Sequence, residues 1–293
     1  MSNMFRIGDQ RLVYSDSGLS ASGLWTPPGG GGGGGGELAW PTSATAGVKA
    51  GVPRTNQGGV VTLSTNGTVF KDKNVTDTIE VYGSNITIEN VMMNVQSYYG
   101  LIQYGGSNLT LRNITLNGFG SSSMTGIALA GGTMEYCDIS GMVIALKIWD
   151  TSVVRYNFIH DLHETSSNPD ARHFDGLALH SGTGTFIHHN AFHVTEGTAS
   201  VFLTTQDGST TNITVEDNLM VGRPSFAAYS ENNNGNTMSG IAYRRNTMQK
   251  GIYGYIQESG GGVGSDKGDN VKFDTVIPTN VQAWLTATGI SAP

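Results

Sequence analysis

All seven histidines of this 293-residue chain fall in one stretch: His160, His163, His173, His180, His188, His189 and His193. Imidazole changes protonation near neutral pH and serves as general base, general acid or metal ligand. Three readings are open to the stretch. Acid–base work needs a base beside a cation that quiets a neighbouring negative charge. His173 or His180 could supply the base and Lys147 or Arg172 the cation, with Asp175 alongside. A metal reading uses His160, His163 and His193, because neutral imidazoles a few ångströms apart can share a divalent ion such as zinc. In the third reading the rings satisfy one another and nearby carbonyls and do no chemistry. No cofactor is required beyond that one candidate divalent metal.

The elements that position these residues follow from a repeat. The unit is apolar-x-x-(Asn or apolar)-x-apolar, as in Ile88-Glu89-Asn90-Val91-Met92-Met93 and Val154-Arg155-Tyr156-Asn157-Phe158-Ile159. It recurs from Ile88 at Leu111, Met134, Val154, Ile187, Val215 and Tyr243, at intervals of 23, 23, 20, 33, 28 and 28 residues. Each unit is followed by a second short strand, such as Ala145-Leu146-Lys147-Ile148-Trp149 or Gly176-Leu177-Ala178-Leu179-His180. A period in the twenties with two or three short strands per turn predicts a β-solenoid. Asn157, Asn190, Asn218 and Asn246 recur at the fourth position and are expected to form an inward ladder of amides. Cys137 occupies the same column and reads as a small core residue. The 33-residue interval interrupts the period within the histidine stretch, and long insertions on a solenoid build binding faces.

Alternation along each strand assigns faces. On the first strand Glu89, Arg112, Glu135, Arg155, His188, Glu216 and Arg244 point outward, with largely alternating sign. On the second, outward positions fall in two rows: Ile102, Ala128, Lys147, Ala178 and Phe202, then Tyr104, Ala130, Trp149, His180 and Thr204. Tyr104, Trp149 and Phe202 are the ring-bearing members and the expected substrate contacts.

Composition narrows the class. Glycine is 42 of 293 residues with no G-X-Y period, hydrophobic residues are 38 %, and there is one cysteine. Collagen, wholesale disorder and an internal disulfide are excluded. The net charge of −7 argues against general binding to nucleic acid or anionic membranes, and no apolar run approaches the ~18 residues of a membrane span. The first residues lack a basic segment followed by an apolar one, so no ordinary secretion signal is expected. Eight glycines at 29–36 divide the chain. Residues 1–28 are read as an attachment segment that docks on a larger protein assembly, 29–36 as a flexible linker, and 37–293 as the solenoid.

The coil pattern over roughly 58–275 resembles the right-handed, single-stranded parallel β-helix of the pectate-lyase-like superfamily. That resemblance implies an all-β solenoid of about eight coils, about 40 Å long at ~4.8 Å per coil. The sequence Pro278–Leu285 adds a C-terminal helix expected to cap the last coil. His173-Phe174-Asp175-Gly176 resembles the His- and Asp-containing motif of β-helical alginate epimerases. The implied partner is a polysaccharide. A lyase or epimerase would use Lys147 or Arg172 against a uronate carboxylate and His173 or His180 as base. A hydrolase would draw two carboxyls from Asp161, Glu164, Asp170 and Asp175. Together with the small head and glycine tether, the pattern resembles phage tailspikes and capsid decorations, which implies a virion-surface or extracellular protein, often a homotrimer, that binds a host glycan, with or without cleaving it. Two alternatives stand beside it: a free polysaccharide lyase or uronate epimerase, and a purely structural solenoid.

Overall fold

A left-handed backbone position recurs once per coil. Asn90, Asn113, Tyr136, Tyr156, His189, Asp217 and Arg245, the third residue of each unit, have φ between 51° and 56°. Asn and Asp enter this region readily, whereas Tyr or Arg there costs on the order of 1 kcal/mol. The next residue offsets that cost. Asn157 donates its backbone and side-chain N–H to Oδ1 of Asn190 at 3.0 and 2.9 Å. Asn190 repeats the pattern on Asn218, Asn218 on Asn246, and Asn246 on Asn270. The expected ladder is present and runs one step further than the repeat indicated. Cys137 ends it from below, its N–H donating to Asn157 Oδ1, and burial pushes its thiol up to about 12.

The computed structural model describes residues 40–118, 125–163, 173–261 and 263–291, together with three strands near the N-terminus. The chain divides into two compact units, Met1–Leu38 and Ala39–Pro293. In the first, Met4–Ile7 pairs antiparallel with Gln10–Ser15, which pairs with Gly18–Leu19. The glycine run lies outside the described residues.

The second unit is a β-solenoid of about seven turns, against the eight expected. The left-handed corner joins two columns of parallel strands. Leu109–Arg112, Gly132–Glu135 and Ser152–Arg155 stack in the first, and Thr115–Gly118, Asp138–Ser140, Phe158–His160 and Ala191–Val194 in the second. Both columns meet in the long strands Val69–Val75 and Thr87–Val95, so they form one 16-stranded sheet. The third column is a nine-stranded sheet running from Val61–Leu63 to Gly254–Ser259. Inward rows such as Leu101, Ile127, Leu146, Leu177 and Val201 are fully buried, and each such side chain contributes about 1.5–3 kcal/mol. Where the third column bends toward the second, small residues occupy the row of Gly100, Gly126, Ala145, Gly176 and Ser200. A Cβ at Gly176 would lie 2.6 Å from Ser200 O and 2.7 Å from Phe192 Cδ1.

Outward charges on the first column pair in part as alternation implies. Glu135 accepts from Arg112 Nε at 2.6 Å and from Arg155 Nε at 2.8 Å. Elsewhere partners come from other rows: Glu89 pairs with Lys49, Glu216 with Arg245, and Arg244 with Asp266.

The C-terminal helix, Thr279–Thr288, does not cap the last coil but lies along the outer face of the second column. Val281, Trp284 and Leu285, at i, i+3 and i+4, pack with Phe158, Ala191, Leu219 and Phe273 from successive coils. The reason is apolar complementarity, because those outward positions are hydrophobic where the rest of that face is polar. Trp284 meets Phe158 edge-on at 5.7 Å and donates to Pro41 O at 2.9 Å. From Pro41 the chain continues as a strap across the coil corners, with Val48 N donating to Thr115 Oγ1 and Lys49 N to Asn90 Oδ1.

Candidate functional site

Three registers on the third column build the site. Lys147 pairs with Ala128 below and Ala178 above, and both alanines are fully buried. The small flanking residues leave a shallow bed for the lysine stem. The strand pairing continues to align Trp149 with His180, whose N–H donates to Ile148 O at 2.8 Å. One coil further, Asp207 N donates to His180 O at 3.2 Å, which brings its carboxylate back over the row.

The side chains then converge. Trp149 Nε1 donates to Asp207 Oδ2 at 2.7 Å, and His180 Nδ1 meets the same oxygen at 3.1 Å. Lys147 Nζ lies 4.9 Å from the centre of the Trp149 ring. A carboxylate only accepts, so the His180 Nδ1 carries the hydrogen and Nε2 keeps its lone pair. His180 is 7 % exposed. Burial, then the Lys147 charge, lower its pKa against the opposing pull of Asp207. Burial also lowers that of Lys147, again opposed by Asp207. The result is a neutral imidazole held in one tautomer beside a partly desolvated cation, which is an arrangement suited to removing a proton next to an anionic group.

Rings extend the face in both directions. Tyr104, two positions along the Trp149 row, is exposed and stacks on Tyr82 at 5.2 Å. Phe202, beside Ala178, lies 5.2 Å from Tyr229, and Phe226 lies 5.9 Å from Tyr253. Asp207, Tyr82 and Tyr229 were not singled out from the sequence. Carrying the strand register one coil further in each direction would have found the two tyrosines. Asp207 stands in a turn outside any row, where alternation is silent.

The structure separates the remaining candidates. His173 is exposed, its Nδ1 3.4 Å from Thr198 Oγ1. It precedes the strand that His180 follows, so the two bases stand roughly 20 Å apart at ~3.3 Å per residue. Asp175 is buried rather than outward and reactive. Its carboxyl accepts from Ala199 N at 3.2 Å, and burial raises its pKa well above the usual range. Arg172, Glu164 and Asp170 lie outside the described residues.

The metal trio is not assembled. His160 and His193 do occupy adjacent coils in register, as expected. Both ring nitrogens of His160 are taken, Nε2 by Asp138 at 2.8 Å and Nδ1 by Asp161 at 2.7 Å. Burial alone would lower its pKa, but these two carboxylates overcome that and hold it up to about 9. His163 is exposed. Among the described residues no three His, Cys, Asp or Glu side chains are placed to hold a metal ion. His188 and His189 share a contact of 2.9 Å between their Nδ1 atoms at the coil corner, beside Tyr156. The histidines crowded in sequence thus occupy separate faces of the coil.

No protein-family model matches this chain, and no curated protein or solved structure is significantly similar to it.

Proposed function

We propose that the solenoid binds an acidic polysaccharide along the outer face of its third column and cleaves it by β-elimination. The observation that carries the reading is the sharing of Asp207 Oδ2 by Trp149 and His180 beside Lys147. Lys147 pairs with the uronate carboxylate and withdraws charge from the carbon beside it. His180 Nε2 takes the C5 proton, the C5–H electrons form the C4–C5 double bond, and the glycosidic oxygen leaves from C4 taking a proton from solvent water. Trp149, Tyr104 and Phe202 offer ring faces to the sugars on either side. Residues 1–28 attach this body to a larger assembly, a virion surface being the reading favoured by a separate small unit next to a glycine run.

Incubating the full chain with polyuronates and with neutral polysaccharides tests the chemistry. The expected result is ultraviolet absorbance from the unsaturated product with polyuronates only, lost in Lys147→Ala and His180→Ala. Reducing ends without that absorbance would replace elimination by hydrolysis. Retention of polyuronate without turnover would leave a binding protein, and no retention would overturn the reading.

A further inference from the structure

The outward row that carries Phe158 beneath the C-terminal helix starts, at the first coils, with Asn56, Asn74 and Met92 in register. It runs on through Thr115 and Asp138 to Phe158. The helix packs on the later coils, from Phe158 onward. On the first coils a cleft of about 520 Å³ opens instead, lined by Arg54, Asn56, Asn74 and Asn94 among others.

Arg54 fixes the direction of the hydrogen bonds in this lining. A guanidinium only donates, so Asn74 must present Oδ1 to Arg54 Nε, at 3.1 Å. The Asn74 amide nitrogen therefore donates to Asn56 Oδ1 at 3.0 Å, which leaves Asn56 Nδ2 unpaired among the described residues. Asn94 is in the same state, its Oδ1 taken by Asn117 Nδ2 at 3.1 Å. Arg54 Nη1 reaches Lys49 O and Val52 O, both at 3.4 Å, and Nη2 is left over. The three open groups are all donors, and Gln57 and Thr76 beside them can donate as well as accept. The charge is also unbalanced. Arg112, Arg155, Arg244 and Arg245 each pair with a carboxylate, whereas Arg54 has none within ion-pair reach among the described residues. No carboxylate lines the cleft. The neighbouring Asp77 is engaged by Thr78 N and Ser97 Oγ.

We infer that this cleft binds a small oxyanion: a sulfate, phosphate or carboxylate group. Such a group offers several lone pairs to Arg54 Nη2, Asn56 Nδ2 and Asn94 Nδ2 together, and bonds from a guanidinium to an anion are the stronger kind. A cation would meet unpaired donors, and a sugar hydroxyl could not serve all three. The assignment does not depend on the Lys147 face, and a failure at either site leaves the other standing.

The test uses the full chain labelled with ¹⁵N and reads the Arg54 Nε–H and the Asn56 and Asn94 side-chain amides. Sodium sulfate, sodium phosphate and sodium glucuronate are titrated separately at an ionic strength held constant with sodium chloride, with glucose as the neutral comparison. The expected result is a saturable shift of the Arg54 and Asn56 resonances with at least one of the three anions and none with glucose. Saturation by sulfate or phosphate assigns a tetrahedral inorganic anion, and by glucuronate alone a sugar carboxylate. Asn56→Asp keeps the acceptor for Asn74 but sets a carboxylate oxygen where a donor stood. It should weaken the response at Arg54 Nε at least about tenfold, while Lys147→Ala leaves it unchanged. Resonances indifferent to all three anions, a shift that never saturates, one matched by glucose, or one undiminished in Asn56→Asp would overturn the inference.

Discussion

Asn190 Oδ1 receives both N–H groups of Asn157 from the neighbouring coil, at 3.0 and 2.9 Å, with both residues fully buried. Each such pair satisfies the backbone where the chain turns through a left-handed residue and fixes the vertical register of adjacent coils. Asn190→Ala leaves the Asn157 backbone N–H unsatisfied in the core. Its expected cost is about 3 kcal/mol, read as a lower midpoint in chemical denaturation.

Gly176 tests the tight approach of the third column to the second. Gly176→Ala places a methyl 2.6 Å from the Ser200 carbonyl oxygen, which cannot rotate away as a side chain could. A loss of about 1–3 kcal/mol is expected, whereas Gly184→Ala, with open space at its Cβ, should be limited by its φ of 77° alone. Thermal unfolding of the two variants makes the comparison.

His160 links stability to pH. Its folded pKa, held up to about 9, lies above the unfolded value near 6.5. The folded state therefore binds the proton more tightly. The stabilisation is complete below about pH 6.5 and is lost as pH rises through 9, on the order of 3 kcal/mol in all. Melting temperatures from pH 6 to 10 should fall in the parent chain, and that alkaline slope should flatten in His160→Gln.

The Asp207–His180 pair makes a prediction with a sign. The base works when neutral, so elimination should fall as pH drops through the His180 pKa, which lies below the ordinary histidine value. Asp207 raises that pKa, so Asp207→Asn should move the acid limb to lower pH. It should also lower the rate roughly a hundredfold by releasing the tautomer. A pH–rate profile distinguishes this from a merely structural role, which would lower the rate without moving the limb.

Much of the architecture was legible from the repeat. The apolar-x-x-Asn pattern identified the coils and the amide ladder, because a strand's period of two and a coil's fixed corner leave few registers that bury the apolar residues of the repeat. The rows assigned outward are in part covered, with Ala128, Ala178 and Thr204 fully buried. Lys147, Trp149 and His180 were placed together by that same count. The helix was recognised near its true bounds but assigned to the wrong surface. Its apolar residues specify burial without naming a partner, and only the facing Phe158, Ala191 and Leu219 decide where it lies.

What the sequence determined by itself was therefore periodic: which residues face inward, which stack, and which share a row. What only the tertiary structure decided was whatever depends on distance across non-repeating segments. Seven adjacent histidines in the sequence became separate groups, because residues a few positions apart on a coil point to different faces. Asp207, far along the chain from Trp149, became its 2.7 Å partner because the coil returns the chain to the same face. Alternation orders residues within strands, but turns obey no such period, and the carboxylate that orients the site comes from a turn.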